Sequence, residues 1–284
     1  MCDSAASASI IKPVLTTLAL AQRVERAEID FCAILARVGE SSGAGALEIG
    51  GGRAVCGEPG LPMNKVLGLG LGAEVTDADL DALEAFYDER GSPIQIELCP
   101  MATRGLSSRL TKRGYELLGF ESEMARPGPF HPIDGHDTSA IRIERTTDPR
   151  DEDLWTRVVS EGFITAEEAP TVPPPADVLA ATSAIMRGFV HPGITRYLAL
   201  VNGDAAGGCA SFQADGVVGI FGTATVPQYR RRGVQTALVS RTLTDAAPEI
   251  DLAIATTEAG STSQRTFERL GFRLLYTRAI LVRT

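Results

Sequence analysis

The sequence predicts an α/β (α+β) protein of two tandem domains, each with a mixed, mostly antiparallel, twisted sheet flanked by helices. Three observations support this prediction. Segments that alternate between apolar and polar residues, as strands do, are interleaved with amphipathic segments of helical period. The two halves of the chain repeat similar segments in the same order. A stretch rich in proline and glycine, 127–138, is typical of a linker, so the predicted domains are 1–126 and 139–284.

The second half is predicted to begin with two amphipathic helices and an antiparallel meander of three strands, and to end with alternating helices and strands. Asn202-Gly203, between the first two strands, is a strong hairpin signal. The predicted elements are helices at 151–165 and 176–188, strands at 196–203, 205–213 and 217–226, a helix up to about residue 246, a strand at 251–256, a helix at 262–270 and a strand at 272–282. This order predicts a mixed sheet with helices on both faces.

The ends of the two halves are similar at an offset of 157 residues, from 114 to 271. GYELLGFESEMAR and GFRLLYTRAILVR both begin with glycine, an aromatic residue, a charged residue and two leucines. Upstream, SSRLTKRGY matches SQRTFERLGF and IQIEL matches LAIAT, in the same order along each half. An ordered repeat of this kind predicts the duplication of one α/β domain.

The composition limits the classes of partner and of site. The 284 residues carry a net charge of -9, which argues against general binding to nucleic acids or anionic membranes. The five cysteines include no Cys-x-x-Cys pair and the three histidines form no plausible zinc set, so no metal site is predicted. An apolar segment at 10–21 resembles a signal core, but no basic segment precedes it and Pro13 interrupts it. We therefore expect a soluble, cytoplasmic monomer or homodimer without nucleic-acid or membrane partners.

Three consecutive arginines stand in VPQYRRRGVQTALVSRTL, 226–243, within an acidic protein. They follow a strand-like segment and Pro227, and they precede a helical segment. Gly233 allows a tight turn and a close approach of the backbone to a ligand. The N–H groups at a helix start attract anions, and arginine side chains add forked donors suited to phosphate. The stretch therefore predicts a site for a phosphorylated cofactor, and the alternative interpretation is a solvated run of charge.

The same stretch resembles the cofactor-binding motif of the Gcn5-related N-acetyltransferase (GNAT) superfamily. In TVPQYRRRGVQTAL, 225–238, the family pattern Arg/Gln-x-x-Gly-x-Gly/Ala is matched from Arg230 through Gly233 to Gln235. STSQRTFERLGFRLLYTRAIL, 261–281, resembles the closing helix of the family and the strand after it. The chain is therefore identified as a tandem GNAT-like protein, in which the second half carries the motifs and the first half is a degenerate copy.

The resemblance implies that the second half binds acetyl-CoA, or another acyl-CoA, as a co-substrate. Main-chain N–H groups from Arg231 to Gln235 are then expected to hold the pyrophosphate, and the backbone near Thr225 and Val226 to pair with the pantetheine arm. An amine of the acceptor attacks the polarised acyl carbonyl directly. The residues expected at the cofactor are Thr225, Val226, Arg230, Arg231, Arg232, Gly233, Val234, Gln235, Thr236, Ser263 and Phe267.

Two departures from the family pattern affect the expected chemistry. Gln235 replaces the usual second small residue, and its side chain either narrows the approach to phosphate or donates a hydrogen bond. Phe267 takes the place of the frequent tyrosine acid, and Gly260 that of the usual asparagine. The remaining catalytic candidates are Glu258, as a base, and Ser261. The alternative interpretations are a solvated carboxylate for the first and a helix N-cap for the second.

The counterpart of the arginine stretch in the first half, 64–86, has no arginine cluster. Thr76 is predicted to cap a helix there, and LGLGLG, 67–72, to form a strand with glycine bulges. The carboxylates in this region repel pyrophosphate, and they belong to Glu74, Asp77, Asp79 and Asp81. The first half is therefore expected not to bind CoA, but to cover the second half, shape the acceptor site or support the fold.

These observations predict an acyl-CoA-dependent N-acyltransferase that transfers acetyl to an amine of a small molecule. One alternative is a non-catalytic module that binds acyl-CoA, and another is an acyltransferase that uses a longer acyl-CoA or a carrier-protein thioester. No second basic cluster supports a nucleic-acid patch at 230–232. Acidic residues near the expected acceptor helices suggest a cationic substrate, and they are Glu161, Glu167 and Glu168.

Overall fold

A single sheet of eleven strands runs through both halves of the chain. The computed structural model describes residues 15–37, 45–59, 61–131, 133, 138–146, 148–165 and 176–284. The strands are β1 (Gly45–Ile49), β2 (Gly52–Cys56), β3 (Lys65–Leu67), β4 (Ile94–Leu98), β5 (Glu116–Pro127), β6 (Ile141–Arg145), β7 (Thr195–Val201), β8 (Asp204–Ala214), β9 (Val217–Thr225), β10 (Leu252–Glu258) and β11 (Arg273–Arg283). The α-helices in these ranges are α1 (Leu18–Ala36), α2 (Asp77–Asp88), α3 (Leu106–Lys112), α4 (Pro149–Ile164), α5 (Ala176–Arg187), α6 (Val234–Thr244) and α7 (Thr262–Arg269).

The two halves exchange their last strands. The strand order is β1-β2-β3-β4-β11-β5-β10-β9-β8-β7-β6. β5, the last strand of the first half, pairs antiparallel with β10 and with β11. β11, the last strand of the second half, pairs antiparallel with β4 and with β5. Each half therefore inserts its last strand beside the penultimate strand of the other half.

This architecture confirms the prediction of a mixed, mostly antiparallel sheet flanked by helices. It differs from the expectation in one respect, because the exchange of β5 and β11 merges two expected sheets into one. The division into 1–126 and 139–284 stays a prediction. The described part of the stretch between them is bonded to the second half, since Gly128 N–H donates to Asp251 O at 2.7 Å.

The internal repeat appears as a pseudo-two-fold relation between the halves. α2 begins at residue 77 and α6 at residue 234, again 157 positions apart. Arg278 in β11 is the Cα partner of Glu121 in β5, and the same offset separates these two residues. A residue that pairs with its own counterpart lies at the symmetry axis, so the axis passes between Arg278 and Glu121.

α1 covers the centre of the sheet, and the sequence analysis did not predict it. Thr17 is its N-cap, with a side chain that accepts a hydrogen bond from the first helical turn. Its apolar side packs on strands of both halves, and Phe31 stacks on Phe221 with ring centroids 3.9 Å apart. Of the segment that resembled a signal core, residues 18–21 form the start of α1, and residues 10–14 lie outside the described residues.

Helices cover both faces of the sheet in the second half. On one face α1, α4 and α5 pack together, and Trp155 of α4 donates its Nε1–H to backbone carbonyls of the sheet. On the other face α6 and α7 pack against Ala253 and Ala255. Ile254, between them in sequence, lies in a cluster with α1, as alternation along a strand requires. These two sides are called the α1 face and the α6 face.

No described helix has the length and apolar character needed to span a bilayer. Within the described ranges, no group of three or more His, Cys, Asp or Glu side chains is arranged to hold a metal ion. The cysteines in this part of the chain are free and buried, and they are Cys32, Cys56, Cys99 and Cys209.

Candidate active site

β9 and β10 separate after a short paired stretch. They pair in parallel only up to Gly219 and Ile254. β9 then continues to Thr225 and β10 to Glu258, which leaves a gap that we call the strand cleft. The register of β8 with β9 shifts around Gly222, which has φ +58°. A bulge of this kind bends a strand, and here it bends β9 where the two strands part.

The arginine turn, Arg230–Gly233, connects the end of β9 to α6. Arg231 has φ +62° and Gly233 φ +83°, so both are left-handed. Gly233 is the N-cap of α6 and provides no side-chain cap, so the N–H groups of the first turn lack intrahelical partners. Val234 and Thr236 have buried side chains and offer a ligand only their backbone. Left-handed residues next to a helix start gather N–H groups on one side, which gives this backbone the geometry of an anion site.

The arginines of this turn differ in what their side chains contact. Arg230 donates from Nη2 to carbonyl oxygens at the end of α4, the nearer being Thr165 O at 2.6 Å. It also donates from Nε to Thr225 O at 3.3 Å. Arg230 therefore ties α4 to the end of β9, whereas Arg231 and Arg232 are exposed and place their charge at the start of α6.

The end of β9 offers one residue, rather than two, to a ligand in the strand cleft. Val226 N–H donates to Ala206 O at 3.0 Å, and Val226 O accepts from Tyr229 N–H at 3.0 Å. Thr225 precedes it, and alternation along the strand turns its backbone groups away from β8. The expected pairing of a pantetheine arm near Thr225 and Val226 stays a prediction, and the backbone of Thr225 is the more open to it because both Val226 groups are bonded within the protein.

The start of α7 lies beside the start of α6. Gln235 Nε2 donates to Ser263 Oγ at 3.4 Å, which brings these two predicted residues together. Ser261 is the N-cap of α7, and its Oγ accepts an N–H of the first turn at 3.1 Å, the alternative role given above. Phe267 is 2% exposed and meets Phe272 edge-on, with ring centroids 4.9 Å apart. Ser261 and Phe267 thus have partners within the helix and the core.

Glu258 ends β10 and is exposed. Alternation from Ile254 places its side chain on the α1 face. Thr256, two residues earlier, donates to Glu28 of α1 at 3.4 Å. Glu258 therefore lies just beyond the segment of β10 that α1 covers, at the edge of the strand cleft, where a carboxylate is open to an incoming amine.

The end of α4 lies against the end of β9. A Cβ at Gly162 would come within 3.1 Å of the Thr225 backbone, so helix and strand are in direct contact there. Glu161, one of the acidic residues expected near an acceptor, precedes this glycine and is partly buried. Glu167 and Glu168 lie outside the described residues.

The parted strands and the turn that leads into α6 invite comparison with known proteins. Residues 163–272 match the model of the family described as Acetyltransferase (GNAT). We call residues 163–272 the GNAT domain after this match. Among curated proteins, none matches the chain in sequence.

The fold of the chain is similar to solved structures over more than residues 163–272. A GCN5-related N-acetyltransferase from Kribbella flavida is 16% identical over 93% of this chain and 95% of its own, with a TM-score of 0.67. A tandem GNAT protein from the clavulanic acid biosynthesis pathway is 12% identical over 96% of this chain and 97% of its own, with a TM-score of 0.55. A GCN5-related N-acetyltransferase from Sphaerobacter thermophilus is 14% identical over 77% of this chain and 71% of its own, with a TM-score of 0.52. At these identities the likeness concerns the fold.

The α1 face of the sheet also carries a buried charge cluster that the sequence analysis missed. Arg278 of β11 is fully buried at its centre. Its guanidinium nitrogens lie 2.6–3.4 Å from the carboxylates of Glu25, Glu28, Glu97 and Glu123, and Lys65 Nζ lies 2.5 Å from Glu97 Oε1. The members come from α1 and from strands of both halves, so no local motif marks them. A weak signal in the sequence is the pair of acidic residues at alternate positions of β5, Glu121 and Glu123.

Burial dominates the ionisation of this cluster. Burial raises the pKa of Glu25 and of Glu123, and the charge of Arg278 offsets only part of that effect. Burial acts on Glu97 in the same direction, but the charges of Lys65 and Arg278 outweigh it and lower the pKa of this carboxyl. The two cations therefore favour the ionised form of Glu97, whereas burial favours the protonated forms of Glu25 and Glu123.

The counterpart of α6 outside the GNAT domain, α2, has a closed N-terminus. Thr76 stands where the GNAT domain has Gly233, at the offset of 157 residues. The Thr76 hydroxyl accepts Asp79 N–H at 3.1 Å, and the Asp79 carboxylate accepts Thr76 N–H at 2.7 Å. Asp77 in the same turn pairs with Arg109 at 2.5 Å. The helix start of the first half is thus satisfied by its own side chains.

Proposed function

We propose that this protein transfers an acyl group, in the simplest case acetyl, from acyl-CoA to an amine of a small molecule. The observation that carries the proposal is the parting of β9 and β10 beside the uncapped start of α6. The GNAT domain at 163–272 supports acyl-CoA-dependent N-acyltransfer in general. The proposal further specifies the acceptor, an amine of a small molecule, and the acyl group, acetyl in the simplest case.

The residues present fit an acyl-CoA. The N–H groups from Arg231 to Gln235 would hold the pyrophosphate, helped by the exposed charges of Arg231 and Arg232. The backbone of Thr225 would bind the pantetheine amides as an added strand does. Acetyl-CoA supplies the acyl group as a thioester. N–H groups on the cleft side of β9 would polarise its carbonyl oxygen, and backbone donors of this kind need no reorganisation during reaction.

Glu258 is the proposed carboxylate of the second half that assists deprotonation of the amine. It is exposed at the edge of the strand cleft, on the α1 face. Phe267 supplies no acidic hydroxyl and lies in the core. A thiolate whose conjugate thiol has a pKa near ~8.5 is a fair leaving group, so water can complete its protonation. Ser261 acts as the N-cap of α7 and has no chemical role in the proposed reaction.

A second candidate function is a non-catalytic module that binds acyl-CoA. The burial of Phe267 and the use of Ser261 as an N-cap favour it, because neither residue presents a catalytic hydroxyl. Release of thiol from acetyl-CoA with a panel of small amines separates the two candidates. Longer acyl-CoA and carrier-protein thioesters tested in the same assay identify the donor, and mass spectrometry of the product identifies the acceptor.

Gly233→Asp is expected to weaken CoA binding by roughly 100-fold, because the change forces a non-glycine residue into a left-handed conformation and adds a negative charge beside the phosphates. Titration calorimetry measures the affinity and the stoichiometry, which should be one CoA per chain. Gly105→Asp is the matched control, since Gly105 is also a left-handed N-cap, of α3. Affinity retained in Gly233→Asp, or a stoichiometry near two, would contradict the proposed site.

Glu258→Gln is expected to lower kcat/KM at neutral pH by at least about tenfold, the usual lower range of general-base assistance. The loss should shrink as pH rises, because the amine then loses its proton without help. Glu249→Gln, at an exposed position just before β10, is the control and should leave the rate unchanged. Full activity of Glu258→Gln at every pH would remove this residue from the mechanism.

A further inference from the structure

β5 brings a residue of the first half next to Glu258. In the register of β5 with β10, Glu121 is the Cα partner of Glu258. In the register of β5 with β11, the same residue is the partner of Arg278. Side chains of directly paired residues project to the same face of a sheet, with Cβ atoms about 4.5–5.5 Å apart. Glu121 and Glu258 therefore form a pair of carboxylates on the α1 face, with Glu258 at the edge of the strand cleft and Glu121 one strand further from it.

Among the described residues, no cation lies within ion-pair distance of Glu121. Its Oε2 atom is buried and has no hydrogen-bond donor among the described residues. The carboxylates of the buried charge cluster, in contrast, lie within ion-pair distance of Arg278 or Lys65. A buried carboxylate oxygen without a donor makes the ionised form of Glu121 costly, so this carboxyl holds a proton more readily than a solvated one does.

The charges around Glu121 come from every neighbouring element. They are Glu258 on β10, Arg278 on β11, Glu97 on β4, Lys65 on β3 and Glu28 on α1. Burial, and next the negative charge of Glu97, raise the pKa of Glu121 to about 7, against the opposing influence of Lys65. A base whose pKa lies near the working pH is present in its ionised form and still binds a proton well.

We propose that Glu121, supplied by the first half through the exchanged strand β5, is the general base for acyl transfer in the second half. This inference rests on the proposed function and deepens it. Glu258 binds the incoming ammonium group at the surface and assists its deprotonation by holding it there, and Glu121 accepts the proton. The acceptor is then an amine that is cationic in solution.

The proton and electron movements balance without a further reactant. The ammonium group gives one proton to the carboxylate of Glu121, which becomes a neutral carboxylic acid. The lone pair of the neutral amine forms the C–N bond while the C–S bond of the thioester breaks. The second proton lost from nitrogen ends on the departing sulfur, and Glu121 returns its proton to water.

The charge balance of the α1 face supports a cationic acceptor. Five carboxyl groups, of Glu25, Glu28, Glu97, Glu121 and Glu123, surround two cations, Arg278 and Lys65, and burial favours the protonated forms of Glu25 and Glu123. Glu258 adds a further carboxylate at the edge. An ammonium group at the Glu121–Glu258 pair supplies positive charge where the two protein cations do not pair. A neutral or anionic acceptor gains nothing from this arrangement.

The first test is the pH dependence of kcat/KM in Glu121→Gln. The wild-type protein should lose activity below about pH 7 as Glu121 takes up a proton. The variant should show kcat/KM at least about tenfold lower at pH 7 and no such acid limb, with unchanged affinity for CoA by calorimetry. Glu116→Gln, an exposed position on the same strand, is the matched control and should behave as the wild type. Wild-type rate and profile in Glu121→Gln would overturn the proposal.

Two measurements on the wild-type protein test the role of Glu121 if Glu121→Gln folds poorly. Wild-type profiles are compared for two amines of different pKa, and an acid limb that stays near pH 7 for both belongs to the enzyme. An acid limb whose midpoint changes with the pKa of the amine overturns the assignment of Glu121 as the base. In protein labelled with ¹³C at glutamate carboxyls, one resonance that titrates near pH 7 is expected, and its absence also overturns the assignment.

A stability readout separates this role from a structural one. The folded pKa of Glu121 lies above its unfolded value, so its contribution to stability is present at low pH and is lost as pH rises through about 7. Glu121→Gln should therefore raise Tm at pH 8 relative to the wild type and leave it nearly unchanged at pH 5. A structural residue would instead lower Tm on substitution.

The outcomes for the two proposals are distinct. Wild-type protein that binds acetyl-CoA but releases no thiol with any amine contradicts the proposed function, and this inference falls with it. Wild-type turnover combined with a normal pH profile in Glu121→Gln contradicts the role of Glu121 alone.

Discussion

Residues 139–284 expressed without the first half are expected to be unfolded or aggregated. In the full chain β11 lies between β4 and β5, and β10 pairs with β5. Removal of the first half takes away both neighbours of β11 and one neighbour of β10, and it also removes α1 from the centre of the sheet. Bare strand edges and an uncovered apolar face promote association between chains. Circular dichroism and size-exclusion chromatography of the fragment measure the outcome.

Co-expression of residues 1–138 with 139–284 is the control for this prediction. The two fragments should form a stable 1:1 complex that binds CoA, because the linking peptide bond contributes little to a sheet that both fragments complete. Residues 139–284 that remain monomeric, folded and able to bind CoA alone would show that the exchange of strands is dispensable.

Arg278→Met is expected to destabilise the protein by about 3–5 kcal/mol at neutral pH, the usual effect of removing one side of a buried ion pair. Arg278 is fully buried and contacts the carboxylates of Glu25, Glu28 and Glu123. Methionine has a similar length and no charge, so those carboxylates stay buried without their cation. Urea unfolding followed by the fluorescence of Trp155, the single tryptophan, measures the free energy.

The pH dependence of this loss has a defined sign. Burial already raises the pKa of Glu25 and Glu123, and without Arg278 their folded pKa values rise further above the unfolded ones. The folded variant therefore gains protons as pH falls, and the deficit should shrink from pH 8 towards pH 5. Arg283→Met on the same strand is the control, because Arg283 pairs with Glu84 nearer the surface and should contribute about 0–1 kcal/mol. If Arg278→Met lowers the free energy of unfolding by less than about 1 kcal/mol, Arg278 is not the cation that stabilises the buried carboxylates.

The elements of the second half were predictable because each has a local signal. The amphipathic segment predicted at 151–165 is α4, and the strand–turn–strand signal at Asn202-Gly203 joins β7 to β8. The uncapped start of α6 followed from the position of Gly233 after three arginines. These features depend on periodicity, turn chemistry and capping, which act over a few residues.

What could not be predicted depends on contacts between distant segments. The repeat made β5 and β11 equivalent, but nothing local says that each pairs with the other half. The different roles of neighbouring arginines also depend on distant contacts. Arg230 contacts the end of α4, whereas Arg231 is exposed, and the local sequence does not distinguish the two. Glu121 was missed as a candidate because its importance arises only from its position opposite Glu258.

The exchanged strands also impose an order on the synthesis of the chain. Both strands that flank β11, β4 and β5, are made before β11 itself. In the folded sheet neighbouring strands are about 4.8 Å apart, so β4 and β5 lie about 10 Å from each other with β11 between them. Until residues 273–283 emerge, β4 and β5 lack this partner, and we expect their unpaired edges to be open to other extended peptides. Ribosome-bound chains should therefore resist protease only after this segment has been released, and a binder of unpaired strands should slow maturation.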